Sequence, residues 1–211
     1  MSVLATLLTL ADSRLPAGSH VHSGGVEEAV TSGLVVNVET LDAFLRRRIR
    51  SHGVVTASIA VAVQRGELSL ERAEQETDAR TPAPAARQAS RSQGRGLTRL
   101  ARRVWPTACW SDLGSRPHLA VASGRVGAVS GLDPQQNALA IVYTTMTSSA
   151  TAAQRLLALD PADVSALTFR LAELCECTAA QAVAGLAELS DPLLDTLAQR
   201  HAQRERPLFV S

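Results

Sequence analysis

Lysine is absent from the 211-residue sequence, so all 21 basic residues are arginine. This excludes the standard phosphate-binding loop G-x-x-x-x-G-K-[ST], and with it a GTPase site of that type in this chain. Twenty acidic residues leave a formal net charge of +1. Binding to nucleic acid generally needs a marked surplus of positive charge, so this charge balance argues against it. The sequence also lacks the G-x-S-x-G and H-E-x-x-H motifs of common hydrolases.

Cysteine is scarce, with only Cys109, Cys175 and Cys177 in the whole sequence. Three unevenly spaced cysteines do not make a disulfide framework. Cys175 and Cys177 could bind a soft metal as thiolates. Residues two apart do not share a face of a helix, however, so buried or half-buried thiols are the simpler interpretation.

Long apolar runs are missing as well. The longest uncharged stretch, residues 134–154, contains too many Gln, Asn, Thr and Ser residues for a membrane span. The first eleven residues are apolar but have neither a basic n-region nor an A-x-A site, so we expect no signal peptide. These features favour a cytoplasmic protein that contacts neither membrane nor nucleic acid.

Aromatic residues make up 3% of the sequence while alanine is abundant, a composition that favours helix over strand. Asp-Pro pairs at 133, 160 and 191 each place an N-cap before a proline at the first helical position. Thr178 to Gln181 has the pattern of a further capping box. We therefore predict an all-α protein, a single-domain helical bundle of about ten helices over residues 1–211. The predicted helices are 2–11, 26–33, 38–51, 54–65, 69–79, 85–104, 118–129, 134–159, 161–175, 179–188 and 191–203.

Three segments stand out from this helical pattern. Residues 80–90 are rich in Pro, Ala and Arg and predict a mobile loop. Residues 138–153 carry no charge on any face, which indicates either the central helix of the fold or a helix half covered by a second copy of the chain. Arg46, Arg47, Arg48 and Arg50 predict a solvated helix face or a contact with an acidic partner, with phosphate binding as the alternative.

The most informative segment is LPAGSHVHSGGVE at residues 15–27, a turn-rich linker between two predicted helices. Gly18, Gly24 and Gly25 permit tight turns or close backbone approach. His20 and His22 point to the same side of an extended chain, so they are weak candidates for metal ligands. Two imidazoles without a third donor leave such a site incomplete.

This segment resembles the N-terminal signature of the urease accessory protein F family. The resemblance rests on six residues that we take as motif or partner-binding candidates: Pro16, Gly18, His22, Ser23, Gly25 and Glu27. At His20 the family usually has an aromatic residue.

Weaker resemblances lie further along the chain. Arg87, Ser90 and Gly94 resemble the family's Arg-Ser-Gly helix, and HLAVASG at 118–124 resembles the segment before its central helices. The tail RERPLFVS at 204–211 is similar to its apolar C-terminus and adds Arg206, Leu208 and Phe209 as candidates. The chain departs from the family at 159–162, where LDPA replaces a Pro-Leu-Gly-Gln type of turn.

The resemblance implies a function that composition alone could not. It implies a cytoplasmic, non-catalytic urease accessory protein without a cofactor of its own. This protein would be the adaptor or chaperone subunit of the GTP-dependent complex that inserts nickel into apo-urease. Its partners would be UreD (also called UreH) and the GTPase UreG, and it would form a homodimer. Two alternatives stay open: a regulator that supplies an arginine to the partner GTPase, and a nickel-binding metallochaperone that uses His20 and His22.

Overall fold

The computed structural model describes residues 2–12, 15, 22–188 and 191–209. Over these residues the chain is all-α, as predicted, with eleven α-helices and no strand. The helices are α1 Val3–Leu10, α2 Val26–Thr31, α3 Val38–Arg48, α4 Val54–Gln64, α5 Leu70–Ala79, α6 Pro84–Val104, α7 Leu119–Ser130, α8 Pro134–Leu157, α9 Pro161–Arg170, α10 Ala172–Ala184 and α11 Pro192–His201. A π-helical turn, Ile49–Gly53, joins α3 to α4, and a short 3-10 turn, Ser111–Leu113, precedes α7.

The Asp-Pro pairs begin helices as the sequence predicted. The side chains of Asp133, Asp160 and Asp191 accept hydrogen bonds from the first-turn amides of α8, α9 and α11. The capping box at Thr178 is wrong, because α10 starts at Ala172 and Thr178 lies buried inside it. Cys175, Ala179 and Ala182 form a buried stripe on α10, and burying this stripe outweighs the local capping preference of Thr178.

The predicted loop over 80–90 is largely helix. Helix α6 begins at Pro84, whose fixed φ suits the first helical position. The side chain of Arg87 donates to the carbonyl oxygens of Thr81 and Pro82, which ties the incoming chain to the helix. Residues 84–90 therefore belong to α6, and the connection from α5 is only a few residues long.

Helix α4 lies at the centre of the fold, with every residue from Val54 to Val63 buried. It packs against α7, α8 and α10. The crossing with α7 is close because Gly124 has no side chain: a Cβ there would lie 2.5 Å from the carbonyl oxygen of Ala60. The uncharged α8 packs alongside α4 and also contacts α1, α2, α3, α9 and α10.

Helix α8 is covered mainly by the chain itself. Ala138, Val142, Met146 and Ala150 are buried against neighbouring helices, which include α4 and α10. Tyr143 remains exposed on the opposite side. Among the described helices, none has the length and apolar character needed to cross a membrane.

Candidate functional site

The arginine run at the end of α3 does not form a single solvated face. Arg46 pairs with Asp42 at 2.7 Å and Arg47 with Asp191 at 2.8 Å, whereas Arg50 is exposed. Arg48 instead points inward and lines a cavity. The π-helical turn that follows has more residues per turn than an α-helix, and such turns are frequent at functional sites.

The guanidinium of Arg48 is only partly satisfied. Its Nη1 donates to the carbonyl oxygen of Gly24 at 2.7 Å, while its Nε is buried without a hydrogen-bond partner. Burial lowers the pKa of Arg48 to about 10, and the nearby Asp191 carboxylate opposes this shift. Arg48 therefore keeps its positive charge at neutral pH.

Gly24 and Gly25 form a turn within the 15–27 segment, here called the signature turn, and the two glycines have different roles. Both have positive φ, +65° at Gly24 and +89° at Gly25, so any side chain there would be strained. A Cβ on Gly24 would also lie 2.5 Å from Cζ of Arg48, whereas one on Gly25 would make an ordinary 3.5 Å contact with Leu197. Gly25 supports the predicted tight turn, and Gly24 additionally makes room for the Arg48 guanidinium.

Two further signature residues, His22 and Ser23, are buried beside this turn. His22 lines a second cavity together with Arg48 and His52. The Ser149 hydroxyl on α8 donates to the carbonyl oxygen of Ser23 at 3.1 Å. Burial lowers the pKa of His52 to about 3, so this imidazole is neutral next to the charged Arg48.

Glu27, the last residue of the signature, binds the C-terminal tail. Its carboxylate is buried, 2.7 Å from Nε2 of His201, and accepts hydrogen bonds from the backbone amides of Leu208 and Phe209 at 2.8 and 3.1 Å. Burial opposes ionisation, but these hydrogen bonds outweigh it and lower the pKa of Glu27. The two segments that the sequence singled out, far apart in the chain, thus contact each other.

The backbone of the tail is bound at both Leu208 and Phe209, but only one of the two side chains is covered. Leu208 is 79% exposed and Arg206 is also exposed, whereas Phe209 packs against the hydrophobic core. The arginine that secures this region is Arg204, which donates to Glu28 and Thr31 on α2. Sequence reasoning missed Arg204, because its partners lie more than 170 residues away and no local pattern marks them.

The weaker resemblances converge on a polar network around the buried His118, between α5, α6 and α7. His118 lies between Ser90 Oγ, 2.9 Å from its Nδ1, and Asp78 Oδ1, 2.8 Å from its Nε2. The Ser90 hydroxyl also accepts the amide of Leu119, and Arg91 bridges Asp78 to Glu74. Burial lowers the pKa of His118, although the hydrogen bond with Asp78 opposes this shift. The network fixes the start of α7 against the two preceding helices.

The described residues offer little support for a metal site. They contain no cluster of three or more His, Cys, Asp or Glu side chains that could hold an ion. His22 shares its cavity with the positive charge of Arg48, which repels a cation. Cys175 is buried and Cys177 exposed, so the two thiols do not converge. Pro16, Gly18 and His20 lie outside the described residues.

Comparison with known proteins agrees with the signature and the all-α fold. A sequence profile of the UreF family matches residues 35–172. The chain is 73% identical to the urease accessory protein UreF of Mycobacterium marinum over the full length of both chains. It is 71% identical to the proteins of that name from Mycobacterium bovis (strain BCG / Pasteur 1173P2) and Mycobacterium tuberculosis (strain H37Rv), again over both full lengths.

The chain belongs to the UreF family. The profile covers the helices from α3 to α9 and therefore includes Arg48 and the His118 network. The signature turn and the tail lie outside the matched region, but the full-length relatives span both. All three of these relatives are named urease accessory proteins.

Proposed function

We propose that this chain is a non-catalytic adaptor of urease maturation that works in the cytoplasm. It joins UreD (UreH) to the GTPase UreG in the complex that inserts nickel into apo-urease. Full-length similarity to UreF proteins supports the accessory role. The position of the tail is the observation that supports the adaptor role. The Glu27 carboxylate binds the tail backbone, while the Leu208 side chain stays in solvent.

An apolar side chain held in this way is suited to binding a partner. Chain termini are usually free unless something ties them down. Here two backbone hydrogen bonds to a buried carboxylate tie the tail down without covering Leu208. Anchoring reduces the ordering entropy that a partner would otherwise have to overcome. We assign this surface to UreD.

The test uses purified UreD and two variants of the tail. Leu208→Asp and deletion of residues 207–211 are each expected to weaken the UreD complex at least tenfold, because both remove the apolar contact. Gln203→Ala, an exposed change nearby, is the control and should leave the affinity unchanged. Circular dichroism checks that the helices persist in each variant. Unchanged UreD affinity in both tail variants would remove the tail from the interface.

The alternative role as regulator of UreG is favoured by one feature of α6. Arg95, Arg99 and Arg103 follow one another along an exposed face and make neither an ion pair nor a hydrogen bond within the described part of the chain. An arginine supplied in trans can stabilise the charge that develops during GTP hydrolysis. Stimulation of UreG hydrolysis by this chain, lost in one of these three arginine-to-alanine variants, would establish that role.

We also propose that the chain forms a homodimer through the outer side of α8. A polar groove runs there between α8 and α9, lined by Tyr143, Thr147, Thr151, Val164 and Thr168. Tyr143 is exposed at its edge. A two-fold interface brings the same patch of each copy together, so one exposed face of α8 is enough to build it.

A further inference from the structure

Two adjoining cavities lie beside the signature turn and the π-helical turn, the first extending to α4, α6 and α11 and the second to α6, α7 and α8. They measure about 100 Å³ and about 90 Å³. Their shared walls include Gly24, Arg48, His52, Gln93 and Leu119. A single water needs only ~10–15 Å³ of such space, so each cavity has room for a small molecule.

Arg48 brings an incompletely compensated charge to both cavities. Its Nε has no hydrogen-bond partner, and within the described part of the chain no carboxylate forms an ion pair with it. Asp191, whose field reaches Arg48, is already bound to Arg47 and to the Ser51 hydroxyl. A buried charge without a counter-charge is costly, and the usual solution in proteins is an anion in contact with it.

The backbone around Arg48 is adapted to the guanidinium. Gly24 gives it a carbonyl acceptor and leaves out the side chain that would displace it. The Nη1 atom is thereby fixed, while Nε is enclosed and lacks an acceptor. A guanidinium fixed at one edge offers N–H groups at the other in the geometry that a carboxylate accepts.

We propose that this site binds a small monocarboxylate, of the size of formate or acetate, with Arg48 as its cationic ligand. One positive charge matches one negative charge. A dianion would bring a second charge into the field of Asp191 and is disfavoured. Val55, Ile59 and Leu119 give the cavity an apolar wall for a methyl group. Asp191 and Asp195 also line it and limit the negative charge that it can accept. This inference does not rest on the adaptor role, since the ligand contacts only residues of this chain.

The binding experiment uses the full chain and sodium acetate as probe, with sodium chloride at equal ionic strength as reference. Arginine Nε–Hε NMR spectra report on the group that we expect to bind. One Nε–Hε signal should shift saturably with acetate and with formate. Inorganic phosphate at the same concentration should shift it at least tenfold less.

Two variants test whether that NMR signal and the acetate affinity belong to Arg48. Arg48→Met removes the charge but keeps an unbranched side chain, and it should lower acetate affinity at least tenfold by calorimetry. Arg50→Met, an exposed change two residues away, is the matched control and should bind like the unmodified chain. If Arg48→Met does not fold, Arg48→Lys, which keeps the charge without the planar fork, replaces it and should weaken binding in the same direction.

Two results would overturn the proposal. One is the absence of a saturable acetate shift in the unmodified chain. The other is acetate binding that is equal in the Arg48 and Arg50 variants, because the anion would then be bound elsewhere. Tighter binding of phosphate than of acetate would overturn the assignment to a monocarboxylate. A selective shift that is lost only with Arg48 establishes the site.

Discussion

Glu27 and His201 are 174 positions apart, yet Oε2 of Glu27 lies 2.7 Å from Nε2 of His201, and both side chains are buried. The same carboxylate accepts the amides of Leu208 and Phe209. One acidic residue at the start of α2 therefore connects the signature turn, the end of α11 and the tail. Several consequences of this arrangement can be measured.

Glu27→Ala is expected to destabilise the fold by ~3 kcal/mol, because removing one partner of a buried pair leaves the other groups unsatisfied. Urea unfolding followed by circular dichroism measures the loss. Glu205→Ala, an exposed acidic residue in the same region, should change the free energy of unfolding by less than about 0.5 kcal/mol. Equal effects of the two variants would show that the Glu27 contacts add nothing to stability.

Attachment of the tail should depend on pH in one direction. The pKa of Glu27 is lowered in the folded chain from an ordinary value of 4.5. The stability that the ionised Glu27 contributes is therefore fully present above pH 4.5 and is lost as the pH falls through the lowered pKa. The amide NMR signals of Leu208 and Phe209 should move toward random-coil positions as the pH falls below about 4.5. In Glu27→Gln this transition should disappear. Its persistence in that variant would assign it to another carboxylate.

Alanine at three glycines with positive φ should separate backbone strain from steric overlap. Gly33→Ala meets no atom within 4 Å, so it measures the cost of the backbone conformation, about 1 kcal/mol. Gly25→Ala should cost a similar amount, since its Cβ makes an ordinary contact. Gly24→Ala should cost clearly more, because moving the Arg48 guanidinium away from the new Cβ breaks its hydrogen bond to the Gly24 carbonyl oxygen. Thermal unfolding of the three variants gives the order. A Gly24→Ala variant no less stable than Gly33→Ala would contradict the overlap.

The sequence predicted the starts of α8, α9 and α11 because these starts are encoded locally. An Asp-Pro pair caps α8, α9 and α11 whatever lies around it. The inward position of Arg48 follows from the period of α3, because residue 48 lies seven, four and three positions after the buried Leu41, Phe44 and Leu45. Grouping Arg48 with its neighbours by charge alone missed this signal. The contact between Glu27 and the tail depends on the folding of the whole chain, so it has no local signal.

The three thiols should react in a definite order with a disulfide reagent at mildly alkaline pH. Cys109 is exposed, and the hydrogen bond with the Ser111 hydroxyl lowers its pKa, which favours the reactive thiolate. Burial raises the pKa of Cys175 to about 12, so this thiol should react only after unfolding in urea. Cys109→Ser should remove the fastest phase of the reaction. Absorbance follows the reaction, and mass spectrometry identifies the modified cysteine. A fast phase that survives this change would belong to the exposed Cys177.

Two charge substitutions on α8 test the proposed homodimer. Ala150 is only 1% exposed within a single copy of the chain. Ala150→Glu therefore buries an unpaired carboxylate in any oligomeric state and should unfold the protein. Tyr143 is exposed on the same helix, so Tyr143→Glu leaves the core intact and brings like charges together only where two copies meet.

Sedimentation velocity and circular dichroism then decide between dimer and monomer. We expect the unmodified chain to sediment as a dimer and Tyr143→Glu to sediment as a folded monomer. Glu71→Arg, an exposed charge change on α5, is the control and should remain dimeric. A monomeric unmodified chain would rule out the homodimer. If Tyr143→Glu still sediments as a dimer, the two copies meet on another face, because two carboxylates could not be buried together at the proposed interface without a loss of association.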